Sequence, residues 1–460
     1  MRPVPPSPAV LPLPRWERFA LGLVLALFAA VGLTNIGNDA FIGQDFSLHV
    51  GNTNRLLGRP DAWFSQDVTS RPMIYWIAIH GIALTDNRAP YAFAAGVFLL
   101  FNTGALWLFH DLLRRCIRPP ALRLGALTVL AFLPATLITT VVFAADAMAL
   151  PLFILLAWAT LRWSESPGGR TGAVYTALAG AALTLGNFAK FTFIVLPAGL
   201  ALVAWLAWRW QRVDGRRTLW FLAVAVAAPA LIGLGLHRKS SAELSSQPQW
   251  HTFTWQGTGE MTWRSLLTVK PSDARIFDAP GYWDSVTEGG QKILPLLLPN
   301  NYSYPALLHL GTFTDVLDFS NGGSQRSGAP RPQPQKSFSQ WAVRTGVLFS
   351  LPCVFAVGLM SLRVLRAGVV ARHPPNLGTA MLLVLALNWF VPLVITLPFV
   401  RHAYDWGYWL PRLVLPALWG FGLCLFSWID ELAATWPRIV PLVAAACALQ
   451  AALQICSVWY

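Results

Sequence analysis

The stretch GQDFSLHVGNTNRLLGRP, residues 43–60, carries a carboxylate (Asp45), an imidazole (His49) and two guanidiniums (Arg55 and Arg59). A positioned carboxylate can accept a proton from a hydroxyl, and cations can hold an anion. Asp39 lies a few residues upstream. Asp45 and His49 have the i, i+4 spacing of one helix face, but two ligands are too few for a metal site, and a local hydrogen bond is the simpler expectation. Three further stretches carry matching chemistry. Asp146 sits in VVFAADAMALPLF and Lys190 in LGNFAKFTFIVLP. RHAYDWGYWLPRLVLPAL brings Arg401, His402, Tyr404, Asp405, Tyr408 and Arg412 together. Each has a plainer reading as well: a solvated loop acid for Asp45, a helix cap for Asp146, and snorkelling to headgroups for Lys190 and Arg412.

The elements that must position these residues are membrane spans. The chain has 460 residues, 55% hydrophobic and only 12% charged, with a mean hydropathy of +0.50. A soluble core neither needs so much apolar residue nor tolerates so little charge. The sequence predicts an all-α polytopic membrane protein with eleven spans, near 19–36, 90–110, 124–143, 147–163, 172–189, 191–208, 218–236, 341–362, 378–400, 412–429 and 439–458. PMIYWIAIHGIAL, 72–84, is apolar but short, and reads as an interfacial or re-entrant segment. The five cysteines lie mostly in apolar runs and form no CxxC pair, so neither a disulfide framework nor a zinc site is indicated.

Alternation of spans sorts the loops onto two faces. Seventeen of the 34 basic residues but only six of the 21 acids fall on the face of the N-terminus. By the positive-inside rule that face is cytoplasmic. The net charge of +13 is then mostly topology, and it does not call for a nucleic-acid partner. Asp45, Asp146, Lys190 and the 401–412 loop all fall on the opposite, outside face.

The chain divides into an N-terminal transmembrane module, 1–236, with its first outside loop at 37–89; an outside segment, 237–340; and a C-terminal transmembrane module, 341–460. The tail of the outside segment, 321–337, is rich in Gly, Pro, Gln and Ser and reads as a flexible linker. Its earlier part mixes polar residues with Trp250, Trp255, Trp263, Tyr282 and Trp283, fit for a small cap over the membrane. Those aromatics would either anchor at the interface or stack on sugars.

In this order and on these sides, the motifs resemble the GT-C glycosyltransferases that use polyprenyl-phosphate-linked sugars, particularly protein O-mannosyltransferases and lipid A aminoarabinose transferases. The parts are the early acid in GQDFSLH, the Pro-aromatic RPMIYW, the acid opening span four in DAMALPLFILLA, the Lys-aromatic turn AKFTFIVLP and the late RLVLPAL. Phe46 stands where that family often has a second acid, and Leu413 where it usually has Tyr. The resemblance implies a GT-C-like fold and transfer of a sugar to an acceptor hydroxyl of a glycan, lipid or protein. Asp45 and Asp146 would be catalytic. Lys190, Arg401, His402 and Arg412 would hold the donor phosphate, and His49, Asp39, Tyr404 and Trp255 would bind acceptor or sugar. It implies no metal ligand set but leaves room for a divalent cation. The protein would lie in a bacterial inner or plasma membrane, N-terminus cytoplasmic and active site extracytoplasmic. Two rivals predict different behaviour. A polymerase or ligase using polyprenyl-pyrophosphate glycans would rely on outside Arg and His, and a lipid or sugar transporter would form no glycoside.

Overall fold

Prolines open many of the helices, at positions where a missing backbone N–H costs nothing. The computed structural model describes residues 13–36, 46–58, 72–86, 90–245, 267–278, 303–314, 333–369, 376–396 and 411–458. Among these residues there are sixteen α-helices and no strand. The N-terminal module holds α1 (Arg15–Asn35), α2 (Phe46–Gly58), α3 (Pro72–Thr85), α4 (Pro90–Cys116), α5 (Pro120–Ala131), α6 (Pro134–Val141), α7 (Ala149–Glu165), α8 (Gly169–Ala189), α9 (Leu196–Arg209), α10 (Gly215–Phe221) and α11 (Ala228–Ser245). Then come α12 (Tyr304–Phe313), α13 (Gln333–Val369), α14 (Leu377–Thr396), α15 (Pro411–Thr435) and α16 (Ile439–Val458). Among the described residues ten helical runs are long and apolar enough to cross a membrane, or eleven with the bent pair α5–α6 taken as one span. The protein is an all-α, multi-pass integral membrane protein. The short helix α3 does not lie loose at the interface, because Ile74, Tyr75, Ile77, Ala78 and Gly81 are buried against its neighbours.

The third span departs from the straight helix expected over 124–143. It bends by 58° between α5 and α6. Pro134 is the cause. A residue before proline is pushed out of the helical region, and Leu133 is indeed extended at φ −51°, ψ 131°. Proline also brings no N–H for the carbonyl of Leu130, four residues back, and hydrocarbon offers no water in its place. The Thr136 hydroxyl donates to that carbonyl at 2.9 Å, and the Trp419 indole donates to Thr136 Oγ1 at 3.3 Å. Beyond α6 the chain runs irregularly through 142–144 into a 3₁₀ turn, Ala145–Met148, buried throughout.

The arginine-rich face is more tightly wired than loop counting implies. Glu17, with no exposed surface, takes two bonds from Arg123 (2.8 and 2.6 Å) and faces His110 Nε2 at 3.1 Å, tying α1, α4 and α5 together. Arg123 also caps the end of α4 through the carbonyls of Ile117 and Arg118. Arg115 bridges Asp111 and Glu165; Arg118 reaches Asp430 at 3.1 Å; Arg363 pairs with Glu431. Asp214 caps α10 by accepting from the Arg217 amide at 2.9 Å. Every acid assigned to this face thus has a partner.

The outside segment is shorter than expected at both ends. Helix α11 continues to Ser245 and α13 begins at Gln333, so 237–245 and 333–340 are helical and the end of the 321–337 linker is the first turn of a helix. Within the segment, a 3₁₀ turn (Pro271–Phe277) and α12 are joined by Asp273, which accepts from the amides of Lys270 and Ser303, each at 2.8 Å. Helix α12 docks on α13: His309 meets Ser350 Oγ at 2.7 Å and the Val343 carbonyl at 2.9 Å. Trp250, Trp255, Trp263, Tyr282 and Trp283 lie outside the described residues.

Thr136→Val should cost about 1–3 kcal/mol, because it leaves the Leu130 carbonyl without a donor in an apolar interior. Pro134→Ala added to it should recover much of that loss by restoring a backbone donor. Thermal melts in one detergent compare the two variants with wild type.

Candidate functional site

At the ends of the spans opposite the arginine network, the buried turn Ala145–Met148 meets the end of α8. Lys190 is the C-cap residue of α8 and leaves the helix with an extended backbone, φ −157° and ψ 129°. Its amide still bonds the Gly186 carbonyl at 2.8 Å. A cation in this place also complements the helix dipole. The ammonium donates to Asp146 Oδ1, and the pair is 7% and 5% exposed respectively. The Asp146 carboxylate reaches across to Lys190 at the end of α8. Lys190 does not snorkel to the lipid headgroups, since it is buried.

Helix lengths set the depth of this pair. Helix α7 rises about 26 Å from Glu165 to the turn. The turn is clamped to α4 by Asn102, whose amide donates to the Ala147 and Phe98 carbonyls, each at 2.9 Å. Asn102 lies about 21 Å along α4 from Cys116. The pair is thus recessed within the protein, towards the end of the bundle away from the arginine network. A lone charge there would be costly; the neutral pair is tolerated.

The first outside loop reaches the same place through α2. His49, fully buried, shares a hydrogen bond between Nδ1 and the Tyr75 hydroxyl at 2.9 Å, and Asn52 donates to that hydroxyl at 3.1 Å. Its ring lies 5.8 Å from that of Phe143, three residues before Asp146. Phe143 also packs on Tyr91 and Phe98. On the far side, Phe193 packs on Trp389 with ring centroids 5.1 Å apart. The Trp389 indole donates to the Leu413 carbonyl at 2.9 Å, tying the first turn of α15, where Arg412 lies, to this cluster. Gly186 makes room for it: a side chain there would come within 2.1 Å of the Phe193 ring.

The structure thus brings together Asp146 and Lys190 directly and His49 through Phe143. Asp39, Asp45, Arg401, His402, Tyr404 and Trp255 lie outside the described residues, as does the side chain of Arg412. Among the described residues there is no group of three or more His, Cys, Asp or Glu that could hold a metal. Tyr75, Phe143, Phe193 and Trp389 escaped the sequence reading, in which Asn102 is merely polar. Asn102 and Trp389 carried a usable signal, since a polar group inside an apolar span needs a partner. No protein-family model, curated protein or solved structure matches this chain.

Lys190→Met should cost about 3–5 kcal/mol by stranding the Asp146 carboxylate. Asp146→Leu combined with Lys190→Met should recover most of it, as replacing both members of a buried pair usually does. The midpoints of detergent-solubilised thermal melts read both effects.

Proposed function

We propose that this chain is a membrane glycosyltransferase of the GT-C type, moving a sugar from polyprenyl phosphate to an acceptor hydroxyl on the face opposite the arginine network. The observation that carries the reading is the convergence at one end of the bundle. The recessed Asp146–Lys190 pair, the helix that follows Asp45 and the helix start bearing Arg412 are linked there through Phe143, Phe193 and Trp389.

In this mechanism the acceptor oxygen forms a bond to the anomeric carbon as the bond from that carbon to the phosphate oxygen breaks. The transition state is oxocarbenium-like. The hydroxyl proton passes to the Asp45 carboxylate, and the electron pair of the breaking bond leaves with the polyprenyl phosphate. Arg401 and Arg412, with His402, stabilise the charge gathering on the phosphate. Asp146 orients the acceptor, and Lys190 fixes Asp146 in place. An apolar cavity of about 350 Å³, lined by Leu133, Leu308, Phe349, Phe390 and Phe421 among others, suits the isoprenoid chain of the donor.

A second reading, a lipid or sugar transporter, is favoured by one observation: the third span is broken and leads, through α6, to a turn that holds a buried charged pair, features transporters use. Incubating purified protein with labelled polyprenyl-phosphate sugars and membrane extract separates the two. Wild type should form a labelled glycoside, and Asp45→Asn should slow it by about 10²- to 10⁴-fold. Equal transfer by both proteins would remove Asp45 from the mechanism. Label crossing proteoliposomes with no glycoside formed would favour transport.

A further inference from the structure

A second site lies at the other end of the bundle. Between α9, α13 and α14 runs an apolar groove of about 490 Å³, lined by Leu202, Trp205, Leu206, Val364, Leu365 and Gly368 among others. Its upper end is closed by Asn388, whose side-chain oxygen accepts from the Gly199 amide at 3.1 Å. The contact ties α14 to the first turn of α9. Gly199 also permits the approach, since a Cβ there would come within 2.7 Å of the Asn388 oxygen. From Gly199 to Leu206 the groove runs about 10 Å along α9, most of the depth of one leaflet. Leu202, Trp205 and Leu365 are exposed along it, so it opens sideways to lipid.

The lower end of the groove meets the arginine-rich face. The Trp210 indole donates to the Ala367 carbonyl at 3.4 Å, which sets the ends of α9 and α13 at one level. Arg209 and Arg366 are the residues immediately before these two, both exposed, and neither has a carboxylate partner among the described residues. The six acids of this face are already engaged, by Arg115, Arg118, Arg123, Arg363 and the Arg217 amide. The mouth of the groove is therefore cationic and its body apolar.

We propose that this groove binds a membrane phospholipid with an anionic headgroup, one acyl chain between α9 and α13 and its phosphate on Arg209 and Arg366. Basic pockets between spanning helices are where anionic headgroups bind. The site is separate from the proposed catalytic end and does not depend on the reaction assigned there. A lipid held here would brace α9 against α13 and α14, which contact across the groove.

Native mass spectrometry of the full chain, with phosphatidylglycerol or phosphatidylcholine added, tests this. Wild type should retain phosphatidylglycerol in preference to phosphatidylcholine. Arg209→Gln with Arg366→Gln should weaken that retention by about 10- to 30-fold, the worth of two surface arginines. Gly368→Leu fills the groove, because a Cβ there already lies 3.6 Å from Leu206, and it should reduce retention with both arginines present. Glycerol phosphate, which has no chains, should not compete. Equal retention of both lipids by wild type would overturn the proposal, as would unchanged retention in the double arginine variant or in Gly368→Leu.

Discussion

Hydrocarbon offers no hydrogen bonds, and that constraint shapes the broken third span and the buried charges of this protein. A helix can cross unaided because its backbone is satisfied internally. Wherever the chain stops being a helix inside the membrane, the protein must supply what water would have given. The break at Pro134 is tolerated because Thr136 serves the Leu130 carbonyl. The turn that follows it is buried, and Asn102 holds its Ala147 carbonyl. Charges obey the same rule. Glu17 is matched by Arg123 and His110, and Asp146 by Lys190.

These satisfied groups are not spread evenly. One end of the bundle collects ion pairs that bind α1, α4, α5, α7, α13 and α15 to one another, and its acids are all engaged. That end reads as scaffold. The other end holds, among the described residues, one buried pair amid aromatic rings, next to the helix that follows Asp45 and the one that begins beside Arg412. A paired scaffold at one end and a buried ion pair at the other fit the proposed chemistry on a lipid-borne substrate.

Much of this was legible before any coordinates. Spans announce themselves through apolar length, and counting them put Asp146 and Lys190 on the same face because parity depends on number alone. Their contact was not legible, since two short turns on one face need not touch; it depends on α7 and α8 being neighbours. The bend in the third span had its cause in plain view at Pro134, but apolar length outweighed it in the reading. The wiring of the scaffold end was not legible for a different reason. Loop charges are usually solvated, and nothing in composition distinguishes Glu17, fully buried, from a surface acid. The bond from His49 to Tyr75, 26 residues away, was equally beyond the reach of spacing.

In the proposed arrangement residue 45 and the Asp146–Lys190 pair serve one compartment while the arginine network faces the other. Single cysteines placed by Asp45→Cys and Arg209→Cys in a cysteine-free background can be probed in sealed vesicles of known orientation with a membrane-impermeant maleimide. The account expects position 45 to react only from the compartment opposite the one that labels position 209. Labelling of both positions from the same side would contradict it.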